Sequence, residues 1–244
     1  MIEISKAGGC IVNVRRCVMF RAAPAFVAAA LLALASPRAA CADSTEVPFV
    51  NAATAFSQQA KLDQAIDPEV FVRDESAPPG TGPQRVEHIA GLRAARLDDE
   101  PQLPLYGADG SELAVSLGRW LAARGTVAIE PQPDGHDRVV AVFRSLVAFG
   151  DYSLFVENGE NAENTGTNSG AGTVPTYRPL DGEGSANSFV AHVDGSAAIV
   201  IDTPQPLSSG ASIVLVYHSD SREHGASRGR VGITAHEQLV ALVP

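Results

Sequence analysis

Cysteine is scarce in this chain, and its placement removes most cysteine chemistry. The 244 residues contain three, Cys10, Cys17 and Cys41. A chain cut after Cys41 therefore has no thiol nucleophile, thiolate metal ligand or disulfide. Lysine is scarcer still, with Lys6 and Lys61 alone. Aromatic residues make up 6% and include one tryptophan, Trp120. No apolar run approaches the roughly 20 residues that a helix needs to cross a bilayer. Basic charge is also short: 18 Lys and Arg against 28 Asp and Glu give a formal net charge of -10. That balance disfavours nucleic acid and acidic lipid as partners. No catalytic motif assembles from the residues, and the reading inclines away from an enzyme.

What is present begins with an address. Ala22 to Ala35 is an Ala/Leu-rich apolar run, preceded by Arg15, Arg16 and Arg21 and followed by Ala40-Cys41-Ala42. Basic, apolar and small-x-small segments in that order make a secretory signal over residues 1–42, with cleavage near Ala42. The expected location is periplasmic or secreted, with no membrane span left after cleavage. Arg15-Arg16-Cys17-Val18-Met19 also fits a twin-arginine signal, while a start at Met19 would leave a general secretory one. Cleavage removes five of the 18 basic residues and one of the 28 acidic ones, leaving a charge of -14.

Residues 43–103 read as a lead-in, partly helical or loosely structured. Ala53 to Ile66 is compatible with a helix, Ser76 to Pro83 is turn-rich, and Arg85 to Leu97 places Val86, Ile89, Leu92 and Leu97 near one helical face. Residues 104–244 read as an all-β domain, an antiparallel β-sandwich of seven to eight strands with one short helix. The strand candidates are Thr126–Glu130, Arg138–Phe143, Tyr152–Val156, Ser188–Val193, Ala197–Asp202, Ile213–His218, Arg230–Ala235 and Gln238–Val243, all short and rich in β-branched residues. Pro131 to Gly135 and Asp194-Gly195 supply hairpin turns. The helix is Leu117 to Arg124, with Ser116 as N-cap and Gly125 as terminator.

Leu146 to Phe155 resembles the strand, glycine turn and Tyr-x-Leu strand of exported bacterial β-sandwich domains, including the chordin-type domain. The strings Pro179-Leu180-Asp181-Gly182, Asn187-Ser188-Phe189, Tyr217-His218-Ser219-Asp220 and His224-Gly225 are similar to uncharacterised exported bacterial proteins. The resemblance implies a fold and a compartment. Val156-Glu157-Asn158 stands where chordin-type domains continue with a histidine-containing strand, so no site residue is carried over.

Two constellations offer chemistry. His218, Asp220, His224 and His236 place three imidazoles and a carboxylate around one strand connection, the donor set that zinc or copper takes. Strand alternation directs His218 and His236 outward together. Arg222, Arg228 and Arg230 give the same connection its densest positive charge, suited to a carboxylate, sulfate or sugar acid. Gly225-Ala226-Ser227-Arg228-Gly229 matches the nucleophile-elbow pattern without the strand and helix that the elbow requires. Oxygen donors from Asn158 to Val174 and from Asp181 to Asn187 invite calcium, but Ala186 stands at the glycine position and no glutamate closes the loop. The expected function is an exported binding or structural module for an unknown extracellular or envelope ligand, without a cofactor. The alternative is a zinc- or copper-binding protein or metalloenzyme built on the histidine cluster.

Overall fold

Buried and solvent-facing residues alternate cleanly along Asp137–Arg144, the period of two that a half-buried strand imposes. The structure, a computed structural model, describes residues 44–82, 84–158 and 176–244. The proposed signal segment lies outside them. In chain order the elements are β1 (Thr45–Pro48), β2 (Val50–Asn51), α1 (Ala52–Gln59), β3 (Ile66–Arg73), β4 (Gly80–Thr81), β5 (Glu87–His88), β6 (Leu92–Arg96), β7 (Pro104–Tyr106) and β8 (Glu112–Ser116). Then follow α2 (Leu117–Leu121), β9 (Arg124–Pro131), β10 (Asp137–Arg144), β11 (Asp151–Asn158), β12 (Thr176–Pro179), β13 (Ser188–Val190), β14 (Ala197–Asp202), β15 (Ser212–His218) and β16 (Ala235–Leu242).

The protein is mostly β, and among the described residues every pair of named strands is antiparallel. A first sheet runs β1-β9-β10-β14; a second runs β12-β11-β15-β16-β2, with β13 also on β11; a third runs β6-β3-β7-β8; and β4 pairs with β5. The inward faces of the first two sheets share one core. Val127, Ile129, Val139, Ala141, Phe143 and Ile201 from the first meet Tyr152, Leu154, Ile213, Leu215, Tyr217 and Leu239 from the second. The few aromatic residues are concentrated there. Phe49, Phe143, Phe189, Tyr152, Tyr217 and Trp120 form a continuous series, with successive ring centroids 5.1, 5.5, 5.6, 5.4 and 5.9 Å apart, within the favourable range for ring pairs.

The lead-in is more ordered than its composition suggests. Arg85 to Leu97 is not a helix: Gly91 sits at φ +79°, and β6 beyond it pairs with β3 from Arg73↔Leu92 onward. A second, smaller core of Phe71, Val86, Leu92, Tyr106 and Ala108 forms beneath it. α1 begins where expected but stops at Gln59. Asn51 Oδ1 accepts from the amides of Ala53 and Thr54, and the far end closes when Lys61 N–H reaches Gln58 O and Leu62 N–H reaches Ser57 O. That is a Schellman ending with Lys61 at φ +51° in the left-handed position that glycine usually fills.

α2 is also shorter than expected. Ser116 makes no side-chain cap; instead Leu117 N–H and Gly118 N–H donate to the carbonyls of Leu103 and Pro101 at 2.9 and 2.8 Å. Gly125 does not terminate the helix but lies in β9, where a Cβ would stand 2.6 Å from Phe143 Cδ1. Among the expected strands, Arg230–Ala235 is instead a series of turns leading into β16, with Val231 and Ile233 packed on the smaller core. Asp194-Gly195 does make a turn, closed by His192 N–H to Ser196 O at 2.9 Å. It is not a hairpin, because β13 pairs with β11 and β14 with β10. The turn carries the chain from one sheet to the other.

Candidate functional site

The connection 219–234 between β15 and β16 folds back over the outer face of the second sheet. That face is apolar at its centre, where Phe155, Val214, Val216 and Ala235 are buried and Tyr177 packs against them. The predicted arginine cluster divides here. Arg222 and Arg230 are exposed, whereas Arg228 is turned inward. Its guanidinium lies 3.8 Å from the Tyr177 ring centre, pairs with Glu237, and sends Nη2 to Glu69 Oε1 at 3.4 Å. Tyr177 completes the group by donating to Glu237 Oε1 at 2.6 Å. The three arginines therefore do not present one anion-binding surface, because Arg228 is already engaged by Glu237, Glu69 and the Tyr177 ring.

Glu69 is the residue that sequence reasoning missed. Asp67 accepts the amides of Glu69 and Val70 at 3.0 and 3.2 Å, and this Asx-type turn interrupts the pairing of β3 with β6 between Asp67 and Phe71. The interruption pushes Glu69 out of its own sheet toward β16. Burial raises its pKa to about 8, opposed by the charge of Arg228. Asp67 is raised to about 6 by burial, opposed by hydrogen bonds from Glu69, Trp120 and Val70. Glu157 is also raised by burial against the lowering effect of Arg228. The available signal was an acidic residue standing directly before the apolar Val70-Phe71-Val72.

The four predicted metal ligands are not gathered. His218 and His236 occupy opposite faces of the second sheet, not the same one. His236 packs toward Tyr217, ring centroids 6.3 Å apart, with Nδ1 donating to Glu69 O at 2.9 Å and Nε2 3.3 Å from Ser219 Oγ. A bulge explains the error. The pairing of β15 with β16 shifts between Leu215 and Val216, opposite Leu239 and Glu237, and the unpaired Gln238 resets the alternation of β16. Gln238 itself faces the core, accepting from Tyr152 Oη at 3.1 Å and donating to Trp120 O at 3.0 Å. His218 faces outward, yet only 1% exposed. Its Nε2 lies 2.8 Å from Ser153 Oγ, and its ring is 4.9 Å from that of His224. His224 Nε2 lies 3.1 Å from Asp220 Oδ1. Burial holds the pKa of both His218 and His236 down to about 4. Among the described residues no three His, Cys, Asp or Glu side chains converge as a metal site.

The remaining candidates resolve simply. Ser227 Oγ accepts from Gly229 N–H at 3.2 Å, and no imidazole is bonded to it among the described residues. Residues 159–175 of the proposed calcium loop lie outside the described residues. The Asp181 carboxylate is occupied by the amides of Gly184, Ser185 and Ala186. An open depression lined by Asp63, Gln64, Ala65, Leu97 and Asp98 includes none of the candidate site residues proposed from the sequence.

A different feature stands out at the surface. Phe149 is 66% exposed, with Val190 at 53% and Val193 at 70%. Phe149 N–H donates to Ala191 O, and Ala191 N–H to Gly150 O, so the two exposed segments are tied together by their backbones. Phe149 has φ +57°, a conformation costly for a residue with a Cβ. Gly150 N–H closes the turn onto Val147 O at 3.0 Å. No family model matches the chain, and no curated protein or solved structure is significantly similar to it.

Proposed function

We propose that this chain is an exported β-sandwich that acts outside the cytoplasm as a non-catalytic binding module, recognising an extracellular or envelope ligand through the apolar end at Phe149, Val190 and Val193. The observation that carries the reading is Phe149: a large apolar side chain held in solvent on a left-handed backbone. Strain of that kind persists where the surrounding hydrogen bonds over-determine it, and it concentrates at sites of recognition. Two further facts support it. Of the groups that the sequence offered for chemistry, His218 and His236 lie on opposite faces of one sheet and Arg228 is taken up by Glu69 and Glu237. The two larger sheets share one core, as the layers of a sandwich do.

Export rests on the order of basic, apolar and small-x-small segments before Asp43, and on the absence of cysteine after it. The acidic charge directs the search toward neutral or cationic ligands. The test is binding of the purified protein to immobilised peptidoglycan fragments and to neutral and cationic glycans, with Phe149→Asp as the comparison. Binding that falls at least tenfold in Phe149→Asp, at unchanged melting temperature, supports the reading. Equal binding by the two proteins, or none by either, rejects it.

A further inference from the structure

A directional chain of hydrogen bonds determines which nitrogen of His218 carries its proton. Asn187 Nδ2 donates to Leu154 O at 3.2 Å, which turns Asn187 Oδ1 toward Ser188. Oδ1 only accepts, so Ser188 Oγ donates to it at 3.3 Å. The Ser188 hydroxyl proton is then committed, and Ser188 Oγ accepts from Ser153 Oγ at 3.1 Å. Ser153 in turn has no proton left for His218, so His218 Nε2 must donate to Ser153 Oγ at 2.8 Å. A neutral imidazole protonated on Nε2 has a bare lone pair on Nδ1. That atom is buried and has no hydrogen-bond partner among the described residues. A buried acceptor without a donor costs about 1–3 kcal/mol, so it calls for an occupant.

The neighbouring ring is prepared in the same way. His224 Nε2 lies 3.1 Å from Asp220 Oδ1, and an ionised carboxylate only accepts. His224 therefore also donates through Nε2 and keeps Nδ1 free. A carboxylate or hydroxyl that takes the second ring proton is the usual means by which a protein orients a metal-binding imidazole. The turn His218–Ser221, closed by Ser221 N–H to His218 O at 3.3 Å with Ser221 at φ +53°, brings the two rings together.

We propose that His218 and His224 form a two-nitrogen site for a late first-row divalent cation, Cu2+ or Zn2+, bound through both Nδ1 atoms and oriented by Ser153 and Asp220. Imidazole nitrogens suit these ions. A metal–nitrogen bond of about 2 Å puts the ion about 3.2 Å from each ring centre. Rings 4.9 Å apart then subtend an angle of about 100° at the ion, near the tetrahedral value. Among the described residues no third ligand is already in place, so water or a carboxylate completes the shell. Asp151 is paired across the strands with His218, and Asp220 lies beside His224, so carboxylates stand near both rings. His224 is about a fifth exposed and gives the ion its way in. This set departs from the one expected from sequence: His236 is excluded, and Asp220 becomes an orienting group.

The test is calorimetric titration of the full chain, separately with CuSO4 and ZnCl2, beside nitrogen-15 NMR of the histidine rings without metal. The expected result is one saturable equivalent per chain for at least one of the two ions. His224→Ala, a substitution at a part-exposed position, weakens it at least 30-fold at unchanged metal-free melting temperature, Asp220→Asn weakens it about 10-fold, and His192→Ala leaves it unchanged. The NMR spectrum shows His218 protonated on Nε2. Absence of saturable binding of both ions, affinity of His224→Ala within threefold of wild type, or a His218 ring protonated on Nδ1 overturns the proposal.

Discussion

Glu69 Oε2 accepts the backbone N–H of Glu237 at 2.7 Å, across 168 positions of sequence. The contact fills the gap that the bulge leaves in the ladder between β15 and β16, and it ties the third sheet to the second. Glu69→Ala would leave the Glu237 amide and the Arg228 guanidinium short of a buried partner. The expected loss is about 3 kcal/mol, read from urea unfolding. Glu69→Gln, which retains an acceptor, should cost less than half as much.

The same group sets a pH dependence. Glu69 has a folded pKa raised from 4.5 to about 8, so the folded state retains a proton that the unfolded chain has lost, and stability falls as pH rises through that window. Asp67, raised from 3.8 to about 6, acts in the same sense at lower pH. His218 and His236, lowered from 6.5 to about 4, act in the opposite sense, their contribution being lost as pH falls from 6.5. The four largely offset one another between pH 4.5 and 6, whereas between 6.5 and 8 Glu69 is uncompensated. Stability should therefore decline across pH 6.5–8, by at most about 1.4 kcal/mol per pH unit. Glu69→Gln should flatten that decline; an unchanged slope in the variant would show that another group causes it.

Trp120 Nε1 donates to Asp67 Oδ2 at 2.9 Å, both side chains being buried. Trp120→Phe keeps most of the ring contacts but removes the donor that helps hold the Asp67 carboxylate. A loss of about 1–3 kcal/mol is expected, with a further rise in the Asp67 pKa detectable by carboxyl NMR titration.

Phe149→Asn should leave stability unchanged or raise it by up to about 1 kcal/mol, because asparagine tolerates the left-handed backbone that phenylalanine occupies under strain. The melting temperature checks this. A fall of several degrees would mean that the ring is needed for packing and would weaken its assignment to recognition.

Gly184 stands against the 219–234 connection so closely that a Cβ would lie 2.3 Å from Ala226 N and from Gly225 C. Its φ of +80° adds backbone strain to any substitution. Gly184→Ala should force the two loops apart and speed proteolytic cleavage within 219–234, measured by limited trypsin digestion at Arg222 and Arg228.

How much of this was legible in the sequence follows from the range over which the determinants act. β10, β14 and β15 were readable because alternation and β-branched content are local, and the Pro131–Gly135 connection was readable because its turn residues are adjacent. β6 was not. Leu92-Arg93-Ala94-Ala95-Arg96 has good helix formers, and only pairing with β3 and burial of Leu92 and Ala95 make it a strand. The Asp194-Gly195 turn was visible, but no local feature says that the strands on either side join different sheets. At the candidate site the histidines were noticed and their faces misassigned, because the phase of β16 depends on the bulge at Gln238. Arg228 was noticed and read as an anion-binding group with Arg222 and Arg230, because its partner Glu69 lies 159 positions away.

The bulge at Gln238 gives β16 two reading frames. Before it, Ala235 and Glu237 serve the outer face; after it, Leu239 and Ala241 serve the core. Point substitutions in either half can be absorbed where they occur. Gain or loss of one residue between Ala235 and Leu239 cannot, since it would transpose a whole half-strand, setting leucine among buried carboxylates or glutamate among aromatic rings. Along this strand the protein should be far less tolerant of length changes than of changes in identity, and a scan of single-residue deletions would find its sharpest boundary there.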